Sequence, residues 1–86
     1  MNINELIAIV KKKLQAEIVM QNLEIEDKSF LHKNHKGHQE GKFHLKLIIK
    51  SEELAKLNKI DSTKKIYSVL NLELKEHIHS IQILLS

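Results

Sequence analysis

From Lys42 to Lys50 the chain alternates strictly: Phe43, Leu45, Leu47 and Ile49 on one phase, His44, Lys46, Ile48 and Lys50 on the other. Successive side chains of a strand point to opposite faces, so this period of two specifies a strand with one face on a core. A helix cannot use the pattern, because its apolar stripe needs a period near 3.6. The rest of the chain must supply partners for this strand and a layer to cover its apolar face. With 86 residues there is room for one domain and one modest core, so residues 1–86 are expected to form a single unit.

The partners are legible on either side. Asn2 to about Gln15 carries Ile3, Leu6, Ile7, Val10 and Leu14 at helical spacing, and Asn2 with Glu5 fits a capping box. Lys11, Lys12 and Lys13 then fall in its expected last turn, where cations complement the helix dipole. From Ala16 to Glu26 the period changes, with Val19, Leu23 and Ile25 sharing a face as in a strand. A connection of roughly fifteen residues between two strands is too short for a helical crossover, so the pair is expected to be antiparallel. Ser51 caps a short helix ending near Asn58, and Asp61 or Ser62 is expected to cap a longer one with Ile66, Val69, Leu70 and Leu74 on its buried stripe. Ile81, Ile83 and Leu85 alternate in a last strand, with His79 on the inward phase and His77 at the helix-to-strand junction. The order is α-β-β-α-α-β, an α+β domain with helices packed on one face of a three-stranded sheet.

Composition removes several functions. There is no cysteine, so disulfides and a self-sufficient thiolate metal site are excluded. No apolar run approaches the ~20 residues needed to span a bilayer, and the first residues do not resemble a signal peptide, so a cytoplasmic protein with no membrane association is expected. All fourteen basic residues are lysine and the formal charge is +3. Lysine without arginine favours phosphate contact over bidentate base reading, so any DNA binding should be weak, with Lys64 and Lys65 the candidate contacts. No nucleophile with a plausible base is suggested, and the acidic residues read as caps and surface charge. An enzyme is not expected.

What remains is Ser29-Phe-Leu-His32-Lys-Asn-His35-Lys-Gly-His38-Gln-Glu-Gly41-Lys-Phe-His44, which holds four of six histidines and both glycines. Imidazole is the commonest metal ligand and the side chain that titrates near neutrality. Long loops in compact domains are functional or disordered, and residues 30–42 are expected to be mobile until a partner or metal orders them. A zinc site from His32, His35 and His38 is the weaker metal reading, because structural zinc usually recruits cysteine. His38 and His44 are expected to be solvated.

Several motifs, in order, resemble the BolA family. Asp27-Lys-Ser29-Phe-Leu-His32 is similar to the acidic-x-Ser-x-x-His start of that family's loop, and His35-Lys-Gly37 to its Gly-His-x-Gly. Phe43-His-Leu-Lys-Leu-Ile and Ile66-Tyr67-Ser68-x-Leu70 follow, and Leu74-x-x-x-Ile78-His79-Ser80-Ile81 is similar to its Leu-x-x-x-(Val/Ile)-His-Ala-Leu signature. Two segments depart: Ser62-Thr63-Lys64 stands where the family carries Arg-His-Arg, and Leu54-Ala55-Lys56 where it carries Phe-x-Gly.

The resemblance implies a BolA-like domain with a type II KH-like fold and a mixed sheet. The last strand is expected beside the first, running in the same direction as the second. It also implies an adaptor in iron–sulfur homeostasis, a monomer when alone, partnering a monothiol glutaredoxin with glutathione across a shared [2Fe–2S] cluster. The chain would hold no cofactor in isolation. Carried over by position, His79 and His32 are the ligands, with His35 able to compete. The alternative implied is a nucleic-acid-binding transcriptional regulator. Iron of a [2Fe–2S] centre accepts imidazole in Rieske-type sites, so a chain of histidines without thiolates can contribute only where a partner brings sulfur. An imidazole must be neutral to ligate, so binding should weaken below about pH 6.5.

Overall fold

A computed structural model describes residues 1–29 and 42–86. Its elements are α1 (Ile3–Glu17), β1 (Asn22–Asp27), β2 (Phe43–Lys50), α2 (Glu52–Ala55), α3 (Lys59–Val69), α4 (Asn71–Glu76) and β3 (Ile78–Leu85). The expected mobility of residues 30–42 falls almost wholly on positions outside those described.

The first helix starts as its sequence requires. Glu5 N–H donates to Asn2 Oδ1 at 2.8 Å, and Asn2 Nδ2 donates back to Glu5 Oε1 at 2.8 Å. This satisfies an otherwise orphaned N-terminal donor. Leu6, Val10 and Leu14, four apart, are fully buried. The helix runs one half-turn further than expected, to Glu17, so Lys11–Lys13 are not in its last turn and cannot owe their place to the dipole. Lys13 instead reaches Glu73 on α4, Nζ to Oε2 at 2.6 Å.

The strand expected over 16–26 begins only at Asn22. Ile18, the C-cap of α1, is buried, whereas Val19 is 67% exposed. Val19 belongs to the connection: its carbonyl accepts from Ser51 Oγ at 2.6 Å, so no strand alternation acts on it. Antiparallel pairing of β1 with β2 is as expected, Leu23 opposite Ile49 and Ile25 opposite Leu47.

The sheet order is β1-β2-β3, with β3 parallel to β2. The expected direction of the last strand holds. Its expected place beside β1 does not: β3 pairs with the central strand, opposite Leu45, Leu47 and Ile49, and the three helices between β2 and β3 form the crossover that a parallel pair needs. Ile81 partners Leu45 and Ile83 partners Leu47, so the three strands present one apolar face. Against it pack Leu6, Val10, Leu14 and Ile18, with Leu54, Ile66, Leu70 and Ile78 completing the core.

One helix starts as expected and one does not. Ser51 caps α2 as expected, its Oγ accepting from Leu54 N–H at 3.1 Å. The cap of α3 is Asn58, which accepts from Asp61 N–H at 2.8 Å; Ser62 is buried, its Oγ donating to the Lys59 carbonyl. The long helix also breaks at Leu70, giving α3 and α4, yet Ile66 and Leu70 stay buried with Val69 and Leu74 packed beside them.

Glu73 is the buried charge that sequence reading takes for surface. It is 3% exposed, Lys13 is its cation, and its Oε1 has no hydrogen-bond partner among the described residues. A solvated ion pair contributes at most ~1 kcal/mol, but stranding a buried carboxylate costs more. Lys13→Met should therefore destabilise the fold by roughly 1–3 kcal/mol. Lys13→Met with Glu73→Leu should recover most of that loss, read from the two urea midpoints; a double variant no more stable than the single would overturn this account.

Candidate metal-ligand site at the head of the last strand

Parallel pairing of β2 with β3 slips by one residue at its start. Phe43 partners Ile78, but the next pair is His44 with Ser80, so His79 is the extra residue. Ile78 and Ile81 both face the core across this irregularity, which frees His79 from the inward phase that alternation alone assigns to it. The expectation that His79 points inward with Ile81 is therefore overturned, and its side chain is exposed. Bulges bend a strand and re-aim a side chain, and they recur beside functional sites.

His44 is the second departure. It lies on the sheet face opposite Leu45, where solvation was expected, yet it is only 4% exposed. The ring of His79 meets it edge-on, centroids 4.8 Å apart and planes at 88°. His44 Nε2 is 3.3 Å from His79 Nδ1, and His44 Nδ1 is 2.7 Å from Ser80 Oγ. Its main chain is also engaged: the N–H donates to Ser29 Oγ at 3.1 Å, and the carbonyl accepts from Lys28 N–H at 2.7 Å. Ser29 is itself turned by Asp27, whose Oδ1 accepts the Ser29 N–H at 2.9 Å.

His77 closes the same corner as the C-cap of α4, the junction role expected of it, and its carbonyl accepts from Phe43 N–H at 2.9 Å. Ser29 and Lys42, the described residues flanking 30–41, thus both sit at the end of the sheet where His79 begins. His32, His35 and His38 lie outside the described residues, so the zinc reading falls there too. No group of three or more His, Asp or Glu side chains placed to hold a metal occurs among the described residues.

The two candidate lysines sit elsewhere, on α3. Lys64 is exposed; Lys65 is half-exposed and paired with Glu53, Nζ to Oε2 at 2.9 Å. That ammonium, with a bond from Val19 N–H, holds the Glu53 carboxyl below its ordinary value of 4.5. A phosphate would have to compete with this carboxylate for Lys65.

The fit of His79 to a metal can be judged from its surroundings. Nδ1 of the exposed His79 is engaged by His44, which leaves Nε2, across the ring, as the nitrogen for a ligand. One engaged nitrogen and one outward nitrogen is the arrangement that ligating histidines adopt. Sequence reading singles out His79 but not the contacts that His44, Ser80 and Ser29 make around it. The acidic-x-Ser motif was the available signal for Ser29; nothing in the alternation marks a bulge.

Fold and site together define an α+β domain with helices on one face of a three-stranded mixed sheet and a histidine at the head of the last strand. The BolA family model, described as BolA-like protein, matches residues 14–86, and the chain belongs to that family. It is 33% identical over 73 residues to the DNA-binding transcriptional regulator BolA of Haemophilus influenzae, covering 85% of this chain and 68% of that one. Among solved structures it is similar to BolA1 from Arabidopsis thaliana, with 28% identity, TM-score 0.78, and 92% and 87% of the two chains covered. It is also similar to the BolA domain of SufE1 from Arabidopsis thaliana, with 27% identity, TM-score 0.78, and 100% and 93% covered. No helix among the described residues is long and apolar enough to cross a membrane.

Ser29→Ala leaves the His44 N–H without its acceptor in a buried position. The expected loss is about 1 kcal/mol, with hydrogen exchange at the His44 amide accelerated at least fivefold relative to the β2 amides beyond it. Unchanged exchange at His44 would show that another group satisfies this donor.

Proposed function

We propose that this BolA-like chain partners a monothiol glutaredoxin and glutathione in binding or transferring a shared [2Fe–2S] cluster, with His79 as the fixed imidazole ligand. The second nitrogen comes from His32, or from His35 in its place. The observation that carries the reading is the exposed His79, lifted out of strand phase by a bulge and backed by a buried histidine. The donor set fits the group: imidazole nitrogens on this side, sulfur on the partner's, with no thiolate in this chain. When bound, such a cluster supplies iron positions that accept nitrogen in place of thiolate. The chain's part is to fix one nitrogen at the head of β3 and to supply the other from the sequence between Ser29 and Lys42.

The experiment is reconstitution with a monothiol glutaredoxin and glutathione, read by visible circular dichroism. His79→Ala should abolish the mixed-cluster spectrum. His32→Ala should weaken or reshape it, and His32→Ala with His35→Ala should remove it. His79 is exposed, so the fold should survive its loss. A spectrum unchanged in His79→Ala would remove the central claim.

A second reading, nucleic-acid binding, is favoured by the name of the Haemophilus influenzae relative. On this surface it would be electrostatic: lysines contact phosphate, and Lys64 is free of the carboxylate that engages Lys65. Duplex DNA should bind weakly, and Lys64→Glu should reduce the affinity and the salt slope together. Sequence-selective binding that survives ~200 mM salt would place this reading above the first.

A further inference from the structure

His44 has no part in the proposed ligand set, yet it is the most enclosed imidazole among the described residues and the middle of a chain of contacts. Ser80 Oγ lies 2.7 Å from its Nδ1, and His79 Nδ1 lies 3.3 Å from its Nε2. A neutral imidazole carries one N–H and one lone pair, so this chain can run in two senses. In one, the Ser80 hydroxyl donates to His44 Nδ1 and His44 Nε2–H donates to His79 Nδ1. The proton of His79 is then on Nε2, and that nitrogen cannot coordinate. In the other, His79 Nδ1–H donates to His44 Nε2 and His44 Nδ1–H donates to Ser80 Oγ. His79 Nε2 then carries the lone pair. The sense of the bond at Ser80 and the availability of His79 Nε2 are therefore one variable.

Ligating histidines nearly always donate their other N–H to an acceptor that fixes tautomer and ring orientation. Among the described residues, the group within reach of His79 Nδ1 is His44 Nε2. We infer that His44 is a positioning residue: it accepts the Nδ1–H of His79, is anchored through its own Nδ1–H on Ser80, and so presents His79 Nε2 as a lone pair at the head of β3. Its buried seat, pinned by Ser29 Oγ on one side and Ser80 Oγ on the other, gives the exposed ring a rigid back-stop. This deepens the proposed function and rests on His79 being a ligand, but the tautomer on which it turns is readable in the free protein.

The test is long-range proton–nitrogen correlation of the uniformly nitrogen-15-labelled free protein at pH 8. His44 and His79 should both carry their proton on Nδ1. In His44→Leu and in the surface variant Ser80→Ala, the His79 signals should move to the average of the two tautomers. His44→Gln, whose side-chain carbonyl can reach the place of Nε2, should retain the Nδ1–H form of His79; amide spectra confirm the fold of each variant. In the reconstituted complex, His44→Leu should shorten cluster lifetime against a chelator by roughly 10–100-fold, and His44→Gln should restore most of it. A wild-type His79 protonated at Nε2, or a His79 tautomer indifferent to both His44→Leu and Ser80→Ala, would overturn the inference. A wild-type complex that forms no cluster sinks the functional reading and not the positioning role, which the tautomer spectra decide alone.

Discussion

The one-residue slip between β2 and β3 is the constraint on which the rest depends. Phe43 opposite Ile78 and Leu45 opposite Ile81 put two core residues three apart on β3. Strict alternation cannot do this, because positions three apart face opposite sides of a strand. The slip therefore satisfies the core twice and leaves one residue over. That residue is His79, and its displacement sets it against His44 instead of against the helices. Core packing and site geometry are solved by the same local irregularity.

The slip is held from the helical side. Glu73 is buried in α4 and neutralised by Lys13 of α1, which ties the first helix to the last. Four residues further on, His77 donates its N–H to the Glu73 carbonyl and gives its own carbonyl to Phe43 N–H. An ion pair, a helix cap and the first bond to the central strand thus follow one another within five residues. β3 begins immediately afterwards, so the start of the strand is fixed before any of its own pairing with β2 is counted.

Much of the fold was legible because two periods were clean. The alternation of Phe43 to Ile49 gave the central strand, and the spacing of Leu6, Val10 and Leu14 gave the helix that covers it. Errors arose where a local signal competed with a tertiary one. Asp61 and Ser62 look like caps, but Asn58, three residues earlier, already fills that role and leaves Ser62 to be buried. Lys11–Lys13 suit a helix end, but the end lies at Glu17, and Lys13 answers a carboxylate sixty residues away. Strand order is not written in periodicity, since β3 would show the same pattern beside β1 or β2. His44 was misread for a related reason: alternation says which face a residue takes, and only the neighbouring strand says whether that face is covered.

The arrangement also bears on what kind of metal partnership suits the chain. A side chain held in place before a metal arrives needs little reorganisation to bind it. On the proposed reading His79 is such a ligand, its ring already set against His44 at the head of β3. The remaining ligands, from this chain and from another molecule, would then meet a nitrogen whose place the fold has fixed. The bulge that satisfies the core therefore also lowers the cost of bringing those ligands together.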